Sequence, residues 1–171
     1  MVAFRSLVAA GTAGILAALA LAVSSTAMPG VVAKRQTCSV LTARDRILAS
    51  TLPQSVKDAA GGMNGGGVDR IICRDVTGDR VTDMTVLVAS GGAARVTAWV
   101  VFRARKTSWQ LVLRRLNLYR ASVSWVNGDL VETVAVLRKT DQICCPTGGH
   151  NHTRLDWQRG RFVTLRFWHT R

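Results

Sequence analysis

Val81-Thr-Asp-Met-Thr-Val-Leu-Val-Ala-Ser-Gly-Gly-Ala-Ala-Arg-Val-Thr-Ala-Trp-Val-Val-Phe-Arg103 reads as two strands and the turn between them. From Val81 to Ala89, Met84, Val86 and Val88 alternate onto one face. From Arg95 to Arg103, Val96, Ala98, Val100 and Phe102 oppose Thr97, Trp99 and Val101. A period of two is the strand period, and Gly91-Gly92 supplies the bend between them. Working outward, strands are expected over Val68–Arg74, Trp109–Leu118, Asp129–Arg138, Thr153–Gln158 and Arg161–Trp168. Turns at Lys106-Thr-Ser108 and Arg159-Gly160 separate the later ones. Connections of hairpin length imply antiparallel sheet, with one long loop from Thr140 to His152.

The halves of this region resemble each other. Val76-Thr-Gly-Asp-Arg-Val81 returns as Val126-Asn-Gly-Asp-Leu-Val131, and Trp109-Gln-Leu-Val-Leu113 is echoed by Arg161-Phe-Val-Thr-Leu165. The expectation is two related three-stranded meanders that bury one another's apolar faces. Upstream, Val40, Ala43, Ile47, Leu48 and Leu52 fall on one helical face within Ser39–Leu52. Thr42-x-x-Asp45 reads as the start signal and Pro53 as the stop, with a further short turn of helix over Ser55–Ala60. Gly61–Gly67 reads as a slack connector, since nothing in it can pack. The fold class is therefore mainly β (α+β): a short N-terminal helix packed on an antiparallel sheet or small sandwich of two related β-meanders.

The first 33 residues are set apart from the fold. A basic start at Arg5, an uncharged run from Leu7 to Val23 and small-x-Ala exits at Ser25-Thr-Ala27 and Val31-Val-Ala33 make a secretory signal, cut after Ala27 or Ala33. A retained membrane anchor is the alternative. Residues 34–37 read as a linker and 38–171 as a single disulfide-bearing domain. Across 171 residues, 23 Lys and Arg face 10 Asp and Glu, for a net charge of +13. A domain so basic is drawn to polyanions, and outside the cell these are wall polymers, acidic polysaccharides and lipid headgroups. Export disfavours nucleic acid, and a membrane enters only if the N-terminal segment is retained.

An even count of four cysteines in an exported chain reads as two disulfides. Cys38–Cys73 and a vicinal Cys144–Cys145 are the favoured pairing. Zinc held by Cys144, Cys145, His150 and His152 is disfavoured, because adjacent cysteines point apart and structural sites space theirs by two to four residues.

The acidic stretch Asp75-Val-Thr77-Gly-Asp79-Arg-Val81-Thr-Asp83 stands directly before a strand. Oxygens of Asp75, Thr77, Asp79 and Asp83 with the Val81 carbonyl can wrap one calcium ion, the one cofactor the sequence suggests. A structural turn, with Asp75 and Asp79 satisfied by backbone amides and nearby arginines, is the competing reading. Asp75 to Val88 resembles the calcium loops of FG-GAP and VCBS-type extracellular repeats, which sit in propeller blades of adhesion proteins. Separately, the Cys144-Cys-Pro-Thr-Gly-Gly149 loop and the Thr153-Arg-x-x-Trp-x-x-Gly-Arg-Phe-Val163 hairpin resemble the LppP/LprE-type lipoprotein family over Val123–Leu165. That resemblance implies an exported actinobacterial protein without an assigned activity, although this chain lacks a lipobox.

No nucleophile-elbow, zinc-protease or phosphate-loop motif occurs, so no enzyme is expected. His150 and His152 read as loop residues, and most of the five Trp as core. The functional expectation is an exported, non-catalytic binding or structural module of the cell envelope, its partner an anionic polymer or a protein. A calcium-dependent adhesion module using residues 75–83 is the first alternative and an envelope hydrolase the second.

Overall fold

In a computed structural model, residues 36–171 are described. The signal expected over 1–33, and the first half of the linker, lie outside the described residues.

Two helices lead the chain, α1 (Val40–Leu48) and α2 (Gln54–Ala60). Ser39, in extended backbone, caps α1 by accepting the Thr42 N–H at 3.1 Å. The cap is thus Ser39 and not Thr42, since the chain turns helical three residues earlier than the Thr-x-x-Asp signal suggests. Ala43 and Ile47 are buried, whereas Val40 and Leu48 lie on the solvent side.

Eight strands follow: β1 (Gly67–Arg74), β2 (Asp83–Ala89), β3 (Val96–Ala104), β4 (Trp109–Arg115), β5 (Ser122–Val126), β6 (Asp129–Ala135), β7 (His150–Gln158) and β8 (Arg161–Thr170). They form two antiparallel sheets in the orders β1-β2-β3-β4 and β5-β6-β7-β8. The protein is mainly β, as its alternating stretches require. Each meander has four strands and not three; Ser122-Val-Ser-Trp-Val126 is the strand the sequence reading passes over.

Three layers result. One face of the first sheet, carrying Met84, Val86, Val88, Ala98, Val100 and Phe102, packs on α1 and α2. Its other face, with Leu87, Trp99 and Val101, packs on Val123, Leu130 and Leu155 of the second sheet. β2 and β3 are therefore buried on both sides, which explains their nearly continuous apolar sequence.

The two sheets stack in the same sense. Asp83 and Asp129 each open the second strand of their meander. Aligned from these residues, the Met84/Val86/Val88 face corresponds to the face of Leu130, Glu132 and Val134. The former turns to the helices and the latter to the first sheet. The meanders are stacked like successive coins, not closed like two hands. The open face of the second sheet matches the face that the first sheet buries.

Polar side chains also join the layers. Glu132 on β6 is only 1% exposed. It accepts the Trp99 indole N–H at 2.6 Å and is gripped by Arg115 Nε and Nη2 at 3.0 and 2.6 Å. Cys38–Cys73 ties the segment before α1 to β1 across 35 residues. The Gly61–Gly67 segment is not slack. A Cβ on Gly66 would stand 2.7 Å from the Ala89 carbonyl oxygen and 2.8 Å from that of Ala59, so this glycine lets the segment wedge between α2 and β2. Among the described residues no helix is long and apolar enough to cross a membrane.

Candidate functional site

The acidic loop Asp75–Asp83 joins β1 to β2, and its carboxylates turn onto the chain itself. Asp75 accepts the N–H groups of Gly78, Asp79 and Arg80 at 2.7, 3.2 and 2.7 Å. Asp79 accepts the Val81 N–H at 3.0 Å and pairs with Arg103 at 2.8 Å. Asp83 is fully buried and accepts from Val76, Thr77 and Ala104 at 3.1, 3.0 and 3.0 Å. All six carboxylate oxygens thus face N–H donors. A calcium ion needs six to eight oxygens with lone pairs converging on one point. This arrangement does not fit calcium: the oxygens are engaged by N–H donors, no three of the carboxylates are grouped as metal ligands, and the Arg103 guanidinium pairs with Asp79. Burial alone would raise the Asp79 carboxyl, yet Arg103 and the Val81 amide together hold it below its ordinary value. Burial pushes that of Asp83 above its ordinary value, against its amide bonds.

The long connection between β6 and β7 is organised by Asp141, which accepts from Arg138 N–H, Thr147 N–H and the Thr147 hydroxyl at 2.8, 2.8 and 2.6 Å. These bonds hold the Asp141 carboxyl below its ordinary value. Tyr119 donates its hydroxyl to the Ile143 carbonyl. Cys144 and Cys145 lie at the exposed tip as free thiols. The vicinal disulfide expected from the sequence is therefore not formed. The two cysteines sit in a turn in which the Cys145 N–H donates to the Gln142 carbonyl at 2.9 Å. Hydrogen bonding to Cys144 pushes the Cys145 thiol above its ordinary value. Among the described residues no three or more His, Cys, Asp or Glu side chains converge as metal ligands would.

The residues with most to offer a ligand lie on the open face of the second sheet. His150 and His152 are not in a loop; β7 begins at His150. Residues paired across an antiparallel ladder share a face. Along β7 and β8 the open face reads Gln158/Arg161, Asp156/Val163, Arg154/Arg166, His152/Trp168 and His150/Thr170, while Leu155 turns inward. The bulge between Arg154 and Leu155, which leaves Leu165 unpaired, keeps both halves of β8 in phase with β7.

His152 and Trp168 stack at 4.9 Å with their planes 9° apart. That separation is the spacing between neighbouring strands, so the two rings stand upright from the sheet side by side. β8 is the edge strand, so no further strand covers the far side of Trp168. The Arg166 guanidinium lies 5.2 Å from its ring. His152 is fixed at both nitrogens, Nδ1 to Thr133 Oγ1 at 3.0 Å and Nε2 to Thr170 Oγ1 at 2.8 Å. Burial, followed by the nearby His150 and His169, pushes its pKa below the ordinary value. Arg154 pairs with Asp129, whereas Arg161 and Arg166 pair with no carboxylate among the described residues. The face is a rigid aromatic ladder flanked by uncompensated guanidinium groups.

No protein-family model, no curated protein and no solved structure matches the chain.

Of the residues singled out in the sequence, Asp75, Thr77, Asp79, Val81 and Asp83 belong to a loop that caps the first sheet. Cys38 and Cys73 are bonded, and Cys144 and Cys145 are not. Trp99 is core, while Trp168 is not. Arg166 and the pairing of His152 with Trp168 escape sequence reading. Their signal is the alternation of His150, His152, Arg154 and Asp156 against Asn151, Thr153 and Leu155, which marks a strand with one wet face.

Proposed function

We propose that this chain is an exported, non-catalytic binding module of the cell envelope, and that it holds an anionic polymer on the open face of β7 and β8. The observation that carries the reading is the Arg166–Trp168–His152 ladder: stacked, fixed in place and open on its outer side, with Arg161 unpaired on the same face. An extended polyanion matches such a surface. Its charges meet the guanidinium groups, and the apolar faces of its rings meet Trp168. The formal charge of +13 extends the attraction beyond the face itself.

Export is supported by the leader-like first 33 residues and by the Cys38–Cys73 disulfide, a bond that persists in oxidising compartments. The resemblance to LppP/LprE-type proteins agrees with export. The non-catalytic reading is supported by a sequence without a nucleophile-elbow, zinc-protease or phosphate-loop motif.

The test is binding of the full chain to dextran sulfate as the probe polyanion, with neutral dextran beside it. Dextran sulfate is expected to bind in a manner that weakens as salt rises through the screening range. Replacing Arg166 and Trp168 together by Ala should weaken binding about tenfold or more. Equal binding by the double variant, or equal binding of neutral dextran, would overturn the assignment of this face.

A further inference from the structure

A second recess lies away from the β7/β8 face, where the two sheets part at the start of β1 and β5. It is an open cleft of about 580 Å³ lined from both sheets. Four irregularities of the chain meet there. β1 is bulged between Val68 and Arg70, so Asp69 has no partner on β2 and its side chain is directed into the cleft lining. β3 is bulged opposite Val88 and Ala89. Arg95 has φ 52° and ψ −122°, a conformation that suits glycine and strains any residue with a Cβ. Arg120 is left-handed as well, at φ 48°.

Bulges re-aim side chains, and strained backbone persists where the surrounding structure holds it for a reason. The packing shows how the strain is held. Gly91 sits so close to the Asn64 carbonyl oxygen that a Cβ would stand 2.1 Å away, which locks the β2–β3 hairpin against the preceding loop. Arg120 is clamped by its Nε bond to the Ala93 carbonyl at 3.0 Å and its backbone N–H bond to Ala94 at 2.9 Å. Arg95 and Asp69, by contrast, are exposed, and among the described residues neither makes an ion pair. The backbone of Arg95 closes the hairpin, accepting the Ser90 N–H at 3.0 Å, but among the described residues its guanidinium and the Asp69 carboxylate, which line the same cleft, enter no ion pair.

We infer that this cleft binds a small zwitterion, an α-amino acid or the equivalent end of a peptide. Its carboxylate lies between Arg95 and Arg120 and its ammonium against Asp69. The Arg95 guanidinium and the terminal nitrogens of Arg120, whose Nε is held by Ala93, provide the charge-assisted donors that a carboxylate takes, and the Asp69 carboxylate in the same lining fixes the orientation. The site is independent of the polyanion face.

The test is calorimetric titration of the full chain with D- and L-alanine, and with acetate and methylamine as half-ligands. Alanine of one or both hands is expected to bind, and each half-ligand about tenfold more weakly or worse. Arg95→Gly removes the guanidinium and relieves the backbone together. It should abolish alanine binding while raising the melting temperature by about 3 °C or more. Asp69→Asn should weaken alanine about tenfold and leave acetate unchanged. Absence of alanine binding, retention of it in Arg95→Gly, or acetate binding as tightly as alanine would each overturn the inference; the last would make the cleft a plain anion pocket.

Discussion

The two sheets have the same strand order and the same sense, yet they are built from different alphabets. In the first, β2 and β3 run Met84-Thr-Val-Leu-Val-Ala89 and Ala98-Trp-Val-Val-Phe102, apolar at nearly every position. In the second, β6 and β7 run Leu130-Val-Glu-Thr-Val134 and His150-Asn-His-Thr-Arg-Leu155, with polar side chains at most positions. The difference is what covers the outer face: helices in one case, solvent in the other. A strand with two buried faces contributes packing. A strand with one leaves its second row of side chains free for chemistry, and there the His152–Trp168 stack and the unpaired arginines are found.

The comparison breaks most severely at the layer both sheets share. Trp99→Ala removes the largest fully buried side chain of that interface and the donor to Glu132 together. A loss of about 3–5 kcal/mol is expected from denaturant unfolding, in one cooperative transition. Two separate transitions would show the sheets to be independent units.

Glu132→Gln reaches the same layer from the second sheet with little change of shape. It keeps an acceptor for Trp99 but removes the charge that Arg115 grips. The expected loss is about 1–3 kcal/mol, checked by the same unfolding curve. A value as large as that of Trp99→Ala would mean that charge, rather than packing, joins the layers.

The smallest effect belongs to the acidic loop of the first sheet. With its folded value below 3.8, Asp79 contributes stability that is fully present above that pH and is lost as pH falls through the lower folded value. Asp83, with its value raised, has the opposite sign. Its contribution is fully present below 3.8 and is lost as pH rises through the higher folded value. Melting temperatures between about pH 2 and 5 should therefore fall less steeply with acid in Asp79→Asn than in the parent. An unchanged slope would show that the Arg103 pair adds nothing to folding.

Much of the fold is legible in the sequence. The periodicity placed Met84, Val86 and Val88 on one face of β2, the face that meets the helices, and Cys38–Cys73 joined the elements expected. β5 escaped because five residues alternate too briefly to stand out from a loop. The start of β7 escaped because His-Asn-His carries no apolar residue, and only its ladder with β6 and β8 makes it a strand. The acidic loop shows a deeper limit. Asp-x-Thr-Gly-Asp has the spacing of an ion cradle and equally of an amide-satisfied turn. The path of the backbone between Asp75 and Asp83, which decides between them, is fixed by contacts to Arg103 and Ala104 far away in sequence. The repeat suffers likewise: its wording aligned Asp79 with Asp129, whereas the strands align Asp83 with Asp129, because an eight-residue connection in one half is a two-residue turn in the other.

Layers that present unlike faces to one another obey no two-fold axis. Copies added by the same rule would never close into a ring of two; they would grow as a filament. Such growth requires the wet face of one molecule to meet the Met84/Val86/Val88 face of the next, and α1 and α2 already occupy it. The helix pair is thus a chain terminator. It limits a stackable motif to two layers and leaves its last surface available to something other than itself.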